Sequence, residues 1–321
     1  MYRSTIKAAL PFLLLSATLL VIAPFIGPFD AWDRFALPDE GKIVVFQLRL
    51  PRAILGFAVG GILATSGLVC QSLVRNPLAT PTTLGVSSGA ALGASLVILW
   101  GSSFQPFSAP FVGAVCGAAV TSVLLFSLYS VASRGSSAQI VLIGILVNYF
   151  IASVILFIQC VADPAALSRI VIWLIGAVPS LSWRYTITIA SLALGCLVLI
   201  TLRAPQLQVL ALGRDAAESR GVAVGSLERS LLLTTSVGIG AAVASCGSIG
   251  FVGILEPQIC RRFVGSDYRI LIPSVFLLGG SVVLCADLLG RIIFAPFEVP
   301  AGVLTALVEI PVGLFLLIKR R

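Results

Sequence analysis

The sequence predicts an all-α polytopic membrane protein of about ten transmembrane helices, and three observations carry that expectation. Hydrophobic residues make up 58% of the chain and charged residues only 11%, where a soluble domain carries about 25% charged residues. Apolar runs of the roughly 20 residues needed to cross a bilayer follow one another almost end to end, separated by short polar or Gly/Pro breaks. The alternation of polar and apolar residues that a spanning β-barrel requires is absent from the sequence.

Apolar runs read against breakers place helices at 6–26, 54–73, 84–100, 108–132, 138–161, 184–202, 230–248, 251–263, 270–293 and 301–318. The first run follows Arg3 and Lys7, is longer than a secretory leader's apolar core and lacks a small-x-small cleavage site, so it is expected to be a retained span. The run at 251–263 is short for a full crossing, and residues 170–178 read as a helix lying in the interface. One membrane domain, residues 1–321, accounts for the chain, with a polar connecting segment at about 204–229. An even number of spans puts both termini on one side. Of 21 Lys and Arg residues, Arg34, Lys42, Arg49, Arg52, Arg169, Arg184 and Arg291 fall in one set of connections and all the others in the alternate set. Cytoplasmic loops carry the positive excess, which predicts cytoplasmic N and C termini.

The net charge of +8 therefore serves orientation rather than nucleic-acid binding. Histidine is absent, which removes the commonest metal ligand and the commonest general base together. The cysteines Cys70, Cys116, Cys160, Cys196, Cys246, Cys260 and Cys285 form no C-x-x-C pair and read as small buried hydrophobes. No metal site, catalytic site or bound cofactor is expected. A phosphate-binding loop needs glycine-rich backbone amides and a lysine followed by Ser or Thr. Lys7, Lys42 and Lys319 all lack that context. If ATP drives this protein, another subunit must bind it. An ion-driven secondary transporter would use acidic or broken-helix sites near the midplane, and Asp287 and Glu309 keep that class open. An intramembrane enzyme finds no dense cluster of catalytic acids here.

Three G-x-x-x-G patterns, Gly56/Gly60, Gly89/Gly93 and Gly113/Gly117, predict close helix packing without indicating a purpose. The polar segment contains Leu210-Ala-Leu-Gly-Arg-Asp-Ala-Ala-Glu-Ser-Arg-Gly-Val-Ala-Val224. After Gly213, the residues Arg214, Asp215, Glu218 and Arg220 make a short amphipathic helix that Gly221 ends as a left-handed cap. The residues alone leave two readings, a docking surface for a cytoplasmic partner or a solvated connector.

Four further blocks stand out: Arg49-Leu-Pro-Arg52; Arg75-Asn-Pro-Leu-Ala-Thr-Pro81 with Leu84-Gly-Val-Ser-Ser-Gly89; Gly247-Ser-Ile-Gly-Phe-Val-Gly-Ile-Leu-Glu-Pro-Gln-Ile-Cys-Arg-Arg262; and Ala286-Asp-Leu-Leu-Gly-Arg291 with Phe297-Glu-Val-Pro-Ala-Gly-Val303. In order and spacing, from about Arg49 to the C-terminus, they resemble the FecCD-type permeases of type II ABC importers for iron-siderophore, haem and vitamin B12 uptake. The resemblance implies a ten-helix subunit of the bacterial cytoplasmic membrane, paired with a second copy or a paralogue. Two cytoplasmic ATPase subunits would use the ATP, and a periplasmic or lipid-anchored binding protein would deliver the cargo. Iron-siderophore chelates are the commonest cargo of such permeases, with haem and cobalamin as alternatives.

Carried over by position, the resemblance implies that Arg49, Arg52 and Arg291 meet acidic residues of the binding protein, whereas any one of them alone reads as a snorkelling arginine. It implies a cytoplasmic gate at Asn76 and Leu78, where Pro77 also stops a helix, and a second constriction at Ser136 and Ser137. It turns the segment from Gly213 to Gly221 towards ATPase docking. Asp287 and Glu298 also match family positions. Asp287 lies four residues before Arg291, so an ion pair on one helix face is the expected structural role. Two departures accompany the match: Pro257-Gln258, preceded by Glu256, stands where Pro-His is usual, and Glu309 replaces a small residue. Glutamine retains hydrogen bonding but not titration near neutral pH.

Overall fold

The computed structural model describes residues 2–27, 40–77, 79–80, 85–100, 108–131, 137–293, 295 and 297–318. No strand occurs among them. The helices are α1 (Tyr2–Ile22), α2 (Leu50–Val74), α3 (Val86–Trp100), α4 (Ser108–Val131), α5 (Ser137–Val161), α6 (Pro164–Ile175), α7 (Trp183–Leu202), α8 (Ala204–Leu210), α9 (Arg214–Glu218), α10 (Val224–Cys246), α11 (Glu256–Val264), α12 (Tyr268–Ile292) and α13 (Ala301–Ile318). Among the described residues six helices are long and apolar enough to span a membrane, and four shorter apolar helices accompany them. Backbone amides and carbonyls find no partners in hydrocarbon, so such apolar stretches close their hydrogen bonds within themselves as helices.

The axis of the molecule is α2. Its sequence is dense in Gly, Ala and Ser, so neighbours approach from every side, and 20 of its 25 residues are buried. Helices α7, α10 and α12 surround it. Side chains at Gly60 and Gly279 would collide with the opposite helix, and Phe57 packs edge-on to Phe276 beside them, with ring centres 6.0 Å apart. The other two G-x-x-x-G patterns face each other: Gly89 and Gly93 of α3 lie directly against Gly117 and Gly113 of α4. Close backbone approach thus occurs at Gly60 and at all four glycines of these two patterns, while Gly56 makes only ordinary contact with Val178. Towards the outside, the spans in α1 and α5 are each only 22% buried, and α5 exposes Tyr149, Phe150, Leu156 and Phe157. Such continuous apolar surface suits contact with lipid.

Buried hydroxyls turn inwards. Ser72 Oγ donates to Leu68 O at 2.7 Å and lies 2.7 Å from the Tyr268 hydroxyl, while Ser16 of α1 lies 3.0 Å from Ser281 of α12.

Four sequence expectations shift. The helix expected from 54 begins earlier: an α-turn at Glu40–Ile43 and a π-helix at Val44–Arg49 run straight into α2. The Leu50 amide reaches back to Val45 O, and this widened turn admits Pro51 where an α-turn would clash with its ring. The run expected at 251–263 resolves into a turn with Phe251 and Gly253 at positive φ, followed by the nine-residue α11, which is about 14 Å long. The interfacial helix starts at Pro164 rather than near 170, because Asp163 caps it through Ala166 N at 2.6 Å. Finally, Cys116 and Cys160 are exposed rather than buried.

Candidate functional site

Two polar clusters lie at opposite ends of α2, which at 25 residues is about 37 Å long. At its N-terminal end the structure gathers Arg49, Arg52, Asp287, Arg291 and Glu298. Arg52 donates from Nη2 to Asp287 Oδ1 at 2.8 Å and to Glu298 Oε2 at 2.9 Å, with a further bond from Nε to Asp287 Oδ1 at 3.1 Å. The other oxygen of Asp287 lies 3.2 Å from Arg291 Nη2, close enough for an ion pair without hydrogen-bond alignment. The pair expected from the spacing of Asp287 and Arg291 is therefore present, and Arg52 from α2 joins it. Arg49 is buried, with its guanidinium packed against Gly27 and its charge felt at Arg291. Burial is the feature that sequence reasoning missed. Asp287 and Arg291 are almost fully enclosed, and Glu298 is the exposed member of the cluster. Charges removed from water persist only when paired, so this network holds the ends of α2 and α12 together.

At the C-terminal end of α2, Arg75 takes the left-handed conformation and closes the helix. The following turn bonds Ala79 N to Asn76 O at 3.1 Å. Leu78 and Ser136 lie outside the described residues, and Ser137 is the first residue of α5. Gln258, the departure noted in the sequence, donates from Nε2 to Pro77 O and to Ile254 O, each at 3.2 Å. It thereby ties α11 to the Asn-Pro turn, a task that uses the amide's N–H and no titration.

The polar segment meets the same end. Gly213, at positive φ, sits beside Arg75, and Gln208 of α8 accepts from Tyr268 N at 2.9 Å. Arg214 forms ion pairs with Glu218 at 3.2 Å and Glu228 at 3.4 Å. The cap at Gly221 forms as expected: Val222 N bonds Ala217 O at 3.0 Å and Gly221 N bonds Glu218 O at 2.9 Å, the pair of bonds of a Schellman motif. Only Ala217 points into the core; Leu212, Arg214, Asp215, Glu218 and Arg220 are exposed. Apart from Ala217, this capped helix presents its charged side chains to its surroundings. Among the described residues no group of three or more Cys, Asp or Glu side chains is arranged to hold a metal ion.

Fold and site together define a polytopic helical membrane protein with a charged cluster at each end of α2. The profile of the FecCD transport family matches residues 10–319. The hemin transport system permease HmuU of Yersinia pestis is 38% identical over 86% of this chain and 83% of its own length. The Fe(3+)-citrate import system permease YfmE of Bacillus subtilis is 33% identical over 98% of this chain and 96% of its own. A solved structure described as an inward-facing conformation of a metal-chelate type ABC transporter superposes with a TM-score of 0.86, at 29% identity, over 98% of this chain and all of that one. The chain belongs to the FecCD transport family and is an ABC importer permease.

Proposed function

We propose that this permease carries an iron-siderophore chelate across the bacterial cytoplasmic membrane, with both termini in the cytoplasm and the path at the interface with a second copy or a paralogue. The observation that carries this reading is the capped, exposed α9, whose preceding Gly213 sits beside Arg75 at the far end of α2 from the buried arginine cluster. In this reading Gly213, Arg214, Asp215, Glu218, Arg220 and Gly221 receive one of two ATPase subunits, which bind the ATP. Asn76, Leu78, Ser136 and Ser137 narrow the inner end of the path. Arg49, Arg52 and Arg291 meet the external binding protein, whose acidic residues compete with Asp287 and Glu298 for Arg52. Charge pairs across an interface guide docking and register more than they add affinity. The chain itself supplies a path rather than a reaction.

The test is mass spectrometry of the complex purified in mild detergent from native membranes, combined with uptake into vesicles of ferric siderophore, haem and cobalamin. Recovery with an ATPase and ATP-dependent uptake of the ferric siderophore are expected. ATP-dependent uptake of only haem or cobalamin would replace the cargo and keep the class. Recovery alone, with uptake that survives without ATP, would overturn the reading in favour of an ion-driven transporter. Charge reversal at Arg49, Arg52 and Arg291 together is expected to weaken binding-protein docking and its salt dependence; unchanged docking would remove these arginines from that role.

A further inference from the structure

Glu309, a departure noted in the sequence, meets Glu256, which precedes the other departure, inside the protein. Glu256 is 1% exposed and Glu309 is 6% exposed, and their carboxyl groups lie within hydrogen-bonding reach of one another. One stripe of α13 makes the meeting: Thr305 Oγ1 donates to Gly250 O at 3.3 Å, Glu309 faces Glu256, and Gly313 lies against the Leu255 side chain. Residues four apart fall on one helix face, so α13 lays this whole face on the 250–256 turn. The turn is anchored to α2 in its own right, because Gln71 Nε2 donates to Gly253 O and Ile254 O, both at 3.1 Å.

The surroundings of the two carboxyl groups differ. Glu256 Oε2 accepts the Gly253 amide at 2.7 Å, with the amides of Leu255 and Glu256 also turned towards the carboxylate at the start of α11. This is an anion's environment. Glu309 receives no donor at either oxygen, and Glu256 Oε1 is likewise without one. The charge that reaches Glu309 among the described residues is that of Glu256. On the Glu256 side the nearby titratable group besides Glu309 is the buried thiol of Cys260, one turn along α11. Two carboxylates in contact and out of water cannot both be ionised. A single hydrogen on Glu309 satisfies one oxygen of each residue at once.

We propose that Glu256 and Glu309 form a proton-binding site in which one proton, held on Glu309 and donated to Glu256 Oε1, joins α13 to the Gly253 turn. Glu256 is the ionised member and Glu309 the donor. The bond exists only while the proton is bound, so the clamp between α13 and the turn is present at lower pH and is lost as pH rises far enough to remove it. The site does not depend on which cargo the permease carries.

Infrared spectroscopy of the purified full-length protein in detergent tests this directly. A protonated-carboxyl carbonyl stretch that shifts in heavy water is expected in the wild type, is absent from Glu309→Gln, and persists at a changed frequency in Glu256→Gln. A wild-type spectrum without that band overturns the proposal even if a variant fails to fold, and so does a band unaltered in both variants. In parallel, the thermal unfolding temperature of the wild type should fall with rising alkalinity more steeply than that of Glu309→Gln, whose amide donates without titrating. Equal slopes overturn the proposal. Stabilisation of the wild type but not of Glu309→Gln by added Na+, K+, Mg2+ or Ca2+ at fixed pH would replace the proton with a metal cation and overturn it as well.

Discussion

The two ends of α2 carry similar residues in opposite circumstances. At the N-terminal end Arg52, Asp287 and Arg291 are withdrawn from solvent and locked to one another, while at the C-terminal end Arg214, Asp215, Glu218 and Arg220 stand exposed on a small capped helix. The difference separates two uses of charge. Buried pairs fix the relative position of helices, because removing one partner strands the other in a medium that cannot solvate it. Exposed pairs contribute little to stability and leave their charge available to a partner.

The largest effect should come from breaking the buried end. Asp287→Ala leaves Arg52 and Arg291 without their shared carboxylate and is expected to cost about 3–5 kcal/mol, visible as a large drop in the unfolding temperature in detergent. If Asp287→Ala unfolds like the wild type, the cluster does not hold α2 to α12. Next comes the neutral seam: Gly117→Val would push a side chain into the Gly89 backbone, at an expected cost of about 1–3 kcal/mol in the same assay. At the other end, Gln258→Ala removes the bonds to Pro77 O and Ile254 O and should cost about 1 kcal/mol. Gln258→His should be tolerated in transport, and its complete failure would show that the glutamine is specialised. The smallest stability change, within about 0.5 kcal/mol, is expected for Asp215→Lys with Glu218→Lys on the exposed helix. That variant should still insert and fold, yet lose ATPase stimulation in the reconstituted assembly. Normal stimulation would return α9 to the role of a connector.

Legibility followed the range of the interactions. Helix-long apolar runs could be read directly because the bilayer leaves the backbone no alternative, and the cap at Gly221 could be read because all its partners lie within one turn. The pairing of Asp287 with Arg291 was legible for the same reason. The π-helix before Pro51 was not: the Arg49-Leu-Pro-Arg52 block carries a proline, which reads locally as a stop, and only the widened turn upstream shows how the helix passes through it. Asp163 before Pro164 was a start signal in plain view, and it places the interfacial helix earlier than apolar content alone suggested.

By itself the sequence determined the class: many apolar helices, a family pattern from Arg49 onward, a capped charged segment, and two departures from that pattern at Gln258 and Glu309. Those are matters of composition and local spacing, set by solvent and by backbone geometry. Tertiary structure alone decided that Arg52 shares a carboxylate with Arg291, that the glycines of α3 face those of α4, and that Glu256 meets Glu309. Each of those outcomes joins residues far apart in the chain, and which partner a buried charge or an unfilled glycine face finds is settled only when the helices pack.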